Sequence, residues 1–183
     1  MSGHGMNDIK KSFITLNIIY LVFFIIGILI SSQMDNSIYK EQIFNPQAAK
    51  ALPSNQLFWD ILKNNMCVGL KILAGTLSLG IVGIGYICFN GTFFGIVSGI
   101  AIKTYSISYY LKAIAFHGVF EIIALTVLST AGIIPLIFIK DKVLKKDVGI
   151  SAYIKSFIRL ALVGLLLILL CAFIEAFISK SLI

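Results

Sequence analysis

The sequence predicts an all-α integral membrane protein, a bundle of about five transmembrane helices with a glycine-rich hairpin and a short interfacial helix. Of its 183 residues, 58% are hydrophobic and 13% are charged. The mean hydropathy of +0.98 lies far from the values of soluble domains. Apolar segments long enough to cross a bilayer also recur along the chain. We therefore expect a multi-pass protein of the cell membrane.

The first span is predicted at residues 12–31, directly after Lys10 and Lys11. This apolar run is close to the length that crosses the hydrocarbon core. A signal peptide would be followed by a cleavage site of small residues, and none follows here. We therefore interpret the segment as a retained transmembrane helix.

This interpretation sets the domain organisation. Residues 1–11 form a cytoplasmic N-terminal tail, and residues 12–183 form a single transmembrane domain. Residues 1–5 resemble a cloning remnant in front of a natural start at Met6, so His4 is left out of any functional site.

Residues 33–65 form a polar loop with scattered apolar residues. Asn45-Pro46 and Pro53 are turn signals within it. We expect the loop to carry one or two short amphipathic helices that lie at the membrane interface, with Trp59 as an anchor.

Four further spans follow the loop. The second is glycine-rich and ends at Asn90-Gly91, which predicts a tight turn and a hairpin with the third. Gly132 and Pro135 predict a bend in the fourth. The spans are expected at residues 66–89, 92–102 with a continuation to 111, 113–139 and 153–178. A six-span alternative, in which the fourth segment folds back, stays open.

Glycine also indicates how the predicted helices pack. Gly91, Gly95 and Gly99 recur every four residues and so form a smooth stripe, which lets helix backbones approach closely in lipid. We expect this stripe to pack within the molecule, against the second helix. A homodimer interface is the alternative.

Basic residues near the ends of the spans set the orientation. One group precedes the first span, and a larger one surrounds the link between the fourth and fifth. The two groups are Lys10 and Lys11, and Lys140, Lys142, Lys145, Lys146, Lys155 and Arg159. Five spans place both groups on the cytoplasmic side, so we expect a cytoplasmic N-terminus and an external C-terminus.

Five ionisable residues fall within the predicted spans: Lys71, Lys103, His117, Glu121 and Glu175. Each must find a partner, face water or become neutral. His117 and Glu121 lie one helical turn apart on the same face. Lys71 and Glu175 are both expected near the outer side, where they could form an ion pair. The roles left open are a structural link between helices, a conduction path, a proton relay and a catalytic site.

Several functional classes are not indicated by the sequence. The net charge of +7 comes from residues between spans, so nucleic acid is not an expected partner. Cys67, Cys88 and Cys171 are odd in number and have no CxxC spacing, which favours neither a disulfide framework nor zinc. His117 and Glu121 are too few ligands for a metal unless Glu175 or another helix joins them. No enzyme motif is present, and we predict no cofactor.

The motifs described above together resemble the stage II sporulation protein M family. In that family a histidine-glycine-x-phenylalanine-glutamate box lies in a late helix, an asparagine-glycine turn joins two glycine-rich helices, and a glutamate-alanine-aromatic box ends the last helix. The matching segments are residues 116–122, Ala131-Gly132, Asn90-Gly91 with Gly95 and Gly99, and residues 174–178. The resemblance extends from about residue 64 to residue 178.

The resemblance implies a membrane scaffold. The namesake proteins of the family recruit cell-wall hydrolases during engulfment of the forespore. Other members occur in non-sporulating bacteria and in archaea without an assigned activity, and a further group accompanies circular bacteriocins. This chain keeps the histidine box, which we associate with the broad family more than with the namesakes. Its richness in Ile, Lys and Asn suits a low-GC Gram-positive source.

Three functional hypotheses follow. The first is a non-catalytic scaffold or assembly component in a multiprotein complex with other membrane or cell-envelope proteins. The second is a component of circular bacteriocin maturation, export or immunity, with a bacteriocin peptide or an ABC-type ATPase as partner. The third is a membrane-embedded enzyme or transporter, in which His117, Glu121 and Glu175 converge.

Overall fold

The computed structural model describes residues 3–34, 52–112, 116–144 and 149–182, and nearly all of them are helical. The five long helices are α1 (Gly3–Gln33), α2 (Ser54–Ala74), α3 (Ile81–Thr104), α4 (Phe116–Val143) and α5 (Ile150–Phe173). The described residues contain no strand. By length and composition, α1, α3, α4 and α5 can each cross a membrane. The predicted all-α membrane fold is confirmed.

The regular α-helical part of α5 ends at Phe173, but the helical backbone continues beyond it. It continues as a π-helical turn, Ile174–Ile178, and a final 3-10 turn, Ser179–Leu182. A single short helix, Ile107–Tyr110, lies between α3 and α4.

Helices α1 and α3 run parallel to each other in close contact. Gly91 faces the Tyr20 carbonyl and, further along both helices in the same direction, Gly99 faces Ser31. Because α1 and α3 are parallel neighbours, the chain between them must run back in the opposite direction. Helix α2 supplies that return.

Helices α4 and α5 complete the bundle in alternating directions. Lys140 near the end of α4 bonds Asp8 near the start of α1 at 2.6 Å, so these helices are antiparallel. Tyr153 near the start of α5 donates to Asp141 of α4 at 2.6 Å. The start of α1, the end of α4 and the start of α5 therefore lie at one end of the bundle.

Helix α2 packs against α5 over its whole length, also in the antiparallel sense. Lys180 donates to the Leu52 carbonyl just before α2 begins. Further along, Gly69 packs directly against Ile168 and Leu128. Helix α2 is therefore a full member of the bundle, although it is not one of the four helices that qualify as spans by hydropathy.

The turn between α2 and α3 is tight. It consists of a 3-10 turn, Gly75–Ser78, and two residues with left-handed backbone, Leu79 at φ 55° and Gly80 at φ 93°. A Cβ at Gly80 would lie 2.5 Å from Cγ1 of Ile133, so this position requires glycine for both conformation and space. The side chain of Leu77 is 94% exposed.

This turn replaces the one predicted at Asn90-Gly91. That prediction is wrong, because Asn90 and Gly91 lie inside the continuous helix α3 and the Asn90 side chain bonds the Tyr86 carbonyl of the same helix at 2.9 Å. The predicted boundaries of the second and third spans are wrong for the same reason. The glycine-rich hairpin exists, but it joins α2 to α3 at Gly75–Ser78.

The predicted polar loop is also shorter than expected. Residues 54–65 belong to α2, so the expected interfacial helix is the first half of that longer helix, with Trp59 65% exposed on its surface. Asn45 and Pro46 lie outside the described residues.

The fourth span is a single helix. Helix α4 is continuous through Gly132 and Pro135, so the six-span alternative is wrong. The described members of the two basic groups lie at the same end of the bundle, as the charge pattern requires: Lys10 and Lys11 in the first part of α1, Lys140 and Lys142 near the end of α4, and Lys155 and Arg159 in the first half of α5. That this end is cytoplasmic remains a prediction.

Candidate functional site

The apolar part of α4 provides a measure of depth in the bundle. Residues 122–139 contain no ionisable side chain and are bounded by Glu121 and Lys140. At 1.5 Å per residue this stretch is about 27 Å long, close to the roughly 30 Å thickness of the hydrocarbon core. The level of other residues follows from their neighbours along α4.

Glu121 and Glu175 come together at the end of the bundle away from the N-terminus. Their carboxyl groups are close enough to interact electrostatically. The Cys171 thiol contacts the backbone of Glu121, and Tyr20 of α1 also interacts with Glu121. Side chains from α1, α4 and α5 thus form one polar cluster, and Tyr110 lies close to Tyr20 at its edge.

The local helix geometry helps to place Glu175. It lies in the π-helical turn that follows α5, where the extra residue per turn changes the direction of the side chains from that of a regular α-helix. Such turns are frequent at functional sites. Two carboxyl groups that interact in a low-dielectric environment cannot both be ionised without repulsion unless a proton or a cation compensates one of the charges.

His117 belongs to the first turn of α4, four residues before Glu121. Its side chain lies outside the part of the structure that is described.

A groove of about 290 Å³ opens beside the polar cluster. Leu21 on α1 and Val119 on α4 form its rim and are more than half exposed. The remaining apolar lining residues are aromatic or aliphatic: Phe24, Phe94 and Ile122. The polar lining residues are Asn17, Tyr20 and Tyr110. The Phe24 and Phe94 rings pack at 5.7 Å between centroids, which joins α1 to α3 at the base of the groove.

Lys71 does not join this cluster. The sequence placed it near the outer side because the second helix was expected to start at residue 66, but α2 starts at Ser54. Lys71 therefore lies 17 residues along the helix, level with the middle of the apolar stretch of α4. Lys71 is exposed. Gly69, close to Lys71 on α2, packs on Ile168 of α5. Glu175 lies more than a helical turn beyond Ile168, so it is not level with Lys71.

Lys103 caps the far end of the parallel pair. Its Nζ donates at 2.8 Å to the Ser31 carbonyl near the C-terminus of α1, and the same carbonyl accepts from the Met34 N–H at 3.3 Å. This ammonium therefore has a structural role between α3 and α1.

The predicted glycine stripe packs within the molecule, but against α1 and not against α2. A Cβ on Gly95 would overlap the Phe24 carbonyl oxygen, and one on Gly27 of α1 would overlap the Thr92 carbonyl. Gly91 is similarly close to α1, because a Cβ on it would lie 2.9 Å from the Tyr20 carbonyl oxygen. Small residues on both helices allow this contact, as is common in membranes.

Two polar contacts at the opposite end of the bundle were missed from the sequence. Asp141 is fully buried and accepts the Tyr153 hydroxyl hydrogen bond, and Lys140 pairs with Asp8. The sequence signal for the first contact was Asp141, an acidic residue between Lys140 and Lys142 in the basic segment that follows the fourth predicted span. It could have indicated a buried partner for a tyrosine across the α4–α5 link.

The described residues bring no three metal-ligating side chains together. What the fold does define is a polytopic helical membrane protein with a carboxyl pair and an adjoining groove near one end. A family model of stage II sporulation protein M matches residues 16–180. The chain belongs to that family, as its motifs predicted.

A relative covers nearly the whole chain. Over 170 residues the chain is 30% identical to an uncharacterized protein of the archaeon Methanocaldococcus jannaschii, an alignment that covers 90% of this chain and 93% of the relative. No solved structure matches the chain.

Proposed function

We propose that this protein is an integral membrane scaffold, an assembly component of the stage II sporulation protein M type that acts in a multiprotein membrane complex. The observation that carries the proposal is the groove between α1 and α4. Its rim residues Leu21 and Val119 are exposed, so the groove is open to whatever lies beside the bundle.

The composition of the groove favours a protein partner. Tyr20, Tyr110 and Asn17 offer hydroxyl and amide groups along it, and lipid chains cannot hydrogen-bond to them. A helix from another membrane protein can, and interhelical contacts in lipid use such polar groups together with close packing. The aromatic walls supply rigid surfaces of the kind that anchors partner side chains.

The partner proposed is another membrane or cell-envelope protein. The bacteriocin-associated members of the family make a bacteriocin peptide and the membrane part of an ABC-type ATPase specific candidates. A lipid-facing groove of this size accommodates side chains of one helix rather than a whole domain.

Photocrosslinking in the native membrane tests the proposal. A photoreactive amino acid at Val119 should form a defined protein adduct, while one at Leu29, which is 61% exposed elsewhere on α1, should yield mainly lipid adducts. Leu21→Trp fills the groove and should abolish the Val119 adduct, and Leu29→Trp should leave it intact. Lipid adducts alone at Val119 would contradict the scaffold proposal.

The carboxyl pair supports a second candidate, a transporter or enzyme that uses Glu121 and Glu175. The supporting observation is their electrostatic contact. Infrared difference spectra of the reconstituted protein should then show a protonated carboxyl band that is absent from Glu121→Gln. If Glu121→Gln and Glu175→Gln both leave the spectrum unchanged, the pair does not hold a proton.

A further inference from the structure

Helix α2 presents a polar face on the outside of the bundle. Its exposed residues recur at intervals of three and four, which places them along one side of the helix. They include Trp59, Asp60, Lys63, Asn64, Cys67 and Lys71. The opposite side, with Gly69 and Ile72 buried, packs on α4 and α5.

This face extends deep into the membrane. Gly69 packs against Leu128, and the Ile72 carbonyl lies 3.7 Å from the Cβ position of Gly132. Lys71, between them, is therefore level with the segment of α4 that lies 8 to 12 residues from Lys140, or about 12–18 Å along the helix. An exposed ammonium group at that depth has a high free-energy cost unless an anion pairs with it or water solvates it.

The charged groups of the described residues do not compensate Lys71. The ion pair recorded for them joins Lys140 to Asp8 at the end of the bundle, and no described carboxylate pairs with Lys71 or Lys63. A groove of about 490 Å³ runs along this face between the two lysines, lined by Lys63, Met66, Cys67, Leu70, Lys71 and Ala74.

We propose that this face docks a transmembrane helix of a partner protein that carries a carboxylate at membrane depth, paired with Lys71. The proposal rests on the assembly role argued above and names a second contact surface for it. Charge complementarity determines the chemistry of the partner. A second copy in a symmetric dimer would bring Lys71 near Lys71 and is disfavoured by like-charge repulsion.

A lipid phosphate is a poorer match than a helix carboxylate. The headgroups lie at the ends of the apolar stretch, and the lysine side chain has to extend over most of the 12–18 Å estimated above to reach them. A carboxylate on a neighbouring helix can lie at the level of the ammonium itself. Hydrogen bonding between helices in lipid then adds to the ionic contact.

The single tryptophan of the chain, Trp59, lies on the same face and reports occupancy. Full-length protein is reconstituted in zwitterionic vesicles with a dansyl-labelled synthetic transmembrane peptide of leucine and alanine that has one central glutamate. A matched peptide has glutamine instead. Energy transfer from Trp59 should reach half-saturation at about ten-fold lower peptide content for the glutamate peptide.

Lys71→Leu should remove this preference, and Lys155→Leu, an exposed lysine on α5, should retain it. Lys71→Gln repeats the test with a polar side chain. Equal binding of both peptides to the unaltered protein would overturn the proposal without any variant. Loss of the preference when anionic lipid is added would assign Lys71 to lipid phosphate and overturn it as well.

The two proposals can fail separately. If α2 prefers the glutamate peptide but Val119 forms no protein adduct, only the proposal that the groove between α1 and α4 is a docking site is contradicted. The reverse result would remove only the docking site on α2.

Discussion

The backbone carbonyl of Ile72 in α2 lies 3.7 Å from the position that a Cβ on Gly132 of α4 would occupy. Ile72 is fully buried, and Gly132 lies in the middle of the apolar stretch of α4. This contact holds α2 at membrane depth against the bundle. Helix α2 must therefore expose its polar residues on the side that faces away from α4.

The helix directions predict which residues are reached from each side of the membrane. In a chain whose native cysteines are replaced by alanine, single cysteines at Lys10 and Lys142 should react with an impermeant maleimide from one side only. Ser181→Cys should react only from the other side. The charge pattern predicts that the first side is cytoplasmic. Labelling of Lys10→Cys and Ser181→Cys from the same side would contradict the five-helix arrangement.

The parallel contact of α1 with α3 predicts a strong effect of one methyl group. Gly95→Ala places a Cβ against the Phe24 carbonyl oxygen, so the helices must separate, and we expect a loss of about 1–3 kcal/mol in unfolding free energy. Gly85→Ala is the matched control on the same helix, because its Cβ would meet open space. Titration with a denaturing detergent measures both. Equal stability of the two variants would show that the close contact is absent.

The bond between Tyr153 and Asp141 predicts a second stability difference. Tyr153→Phe removes the hydroxyl that donates to the fully buried Asp141 at 2.6 Å, at a cost of about 1–3 kcal/mol in unfolding free energy. Asp8→Asn breaks the contact with Lys140, which is half-exposed, and should cost less than about 1 kcal/mol. Thermal unfolding in detergent should rank the two variants in this order, and the reverse ranking would be inconsistent with a buried carboxylate at Asp141.

Several features of the fold could be predicted from composition and spacing. The long apolar runs indicated α1, α4 and α5 because they are uninterrupted in the sequence. Glu121 and Glu175 were singled out because carboxyl groups at membrane depth are costly, and the two groups interact electrostatically. Those inferences depend on local sequence and on a strong physical penalty.

The errors arose where a residue has two possible roles. Asn90-Gly91 is a turn signal in soluble proteins, but in lipid Gly91 serves helix packing and Asn90 bonds within its own helix. Helix α2 was divided because its first half, with Asp60 and Lys63, was assigned to the polar loop, although these residues and Lys71 occupy one face of a single helix. Whether such a face is buried, wet or covered by a partner depends on tertiary packing, which the sequence alone does not reveal.

The depth of Cys67 tests the central claim, that α2 lies within the membrane as a member of the bundle with a polar face on the outside. Cys67 is exposed on that face, one turn from Lys71. With the other two cysteines replaced, a nitroxide on Cys67 in vesicles should collide with oxygen far more often than with a water-soluble nickel chelate, as should one at the lipid-facing Leu166. Nickel collisions as frequent as those of a nitroxide at Lys142 would place α2 in water and contradict the account.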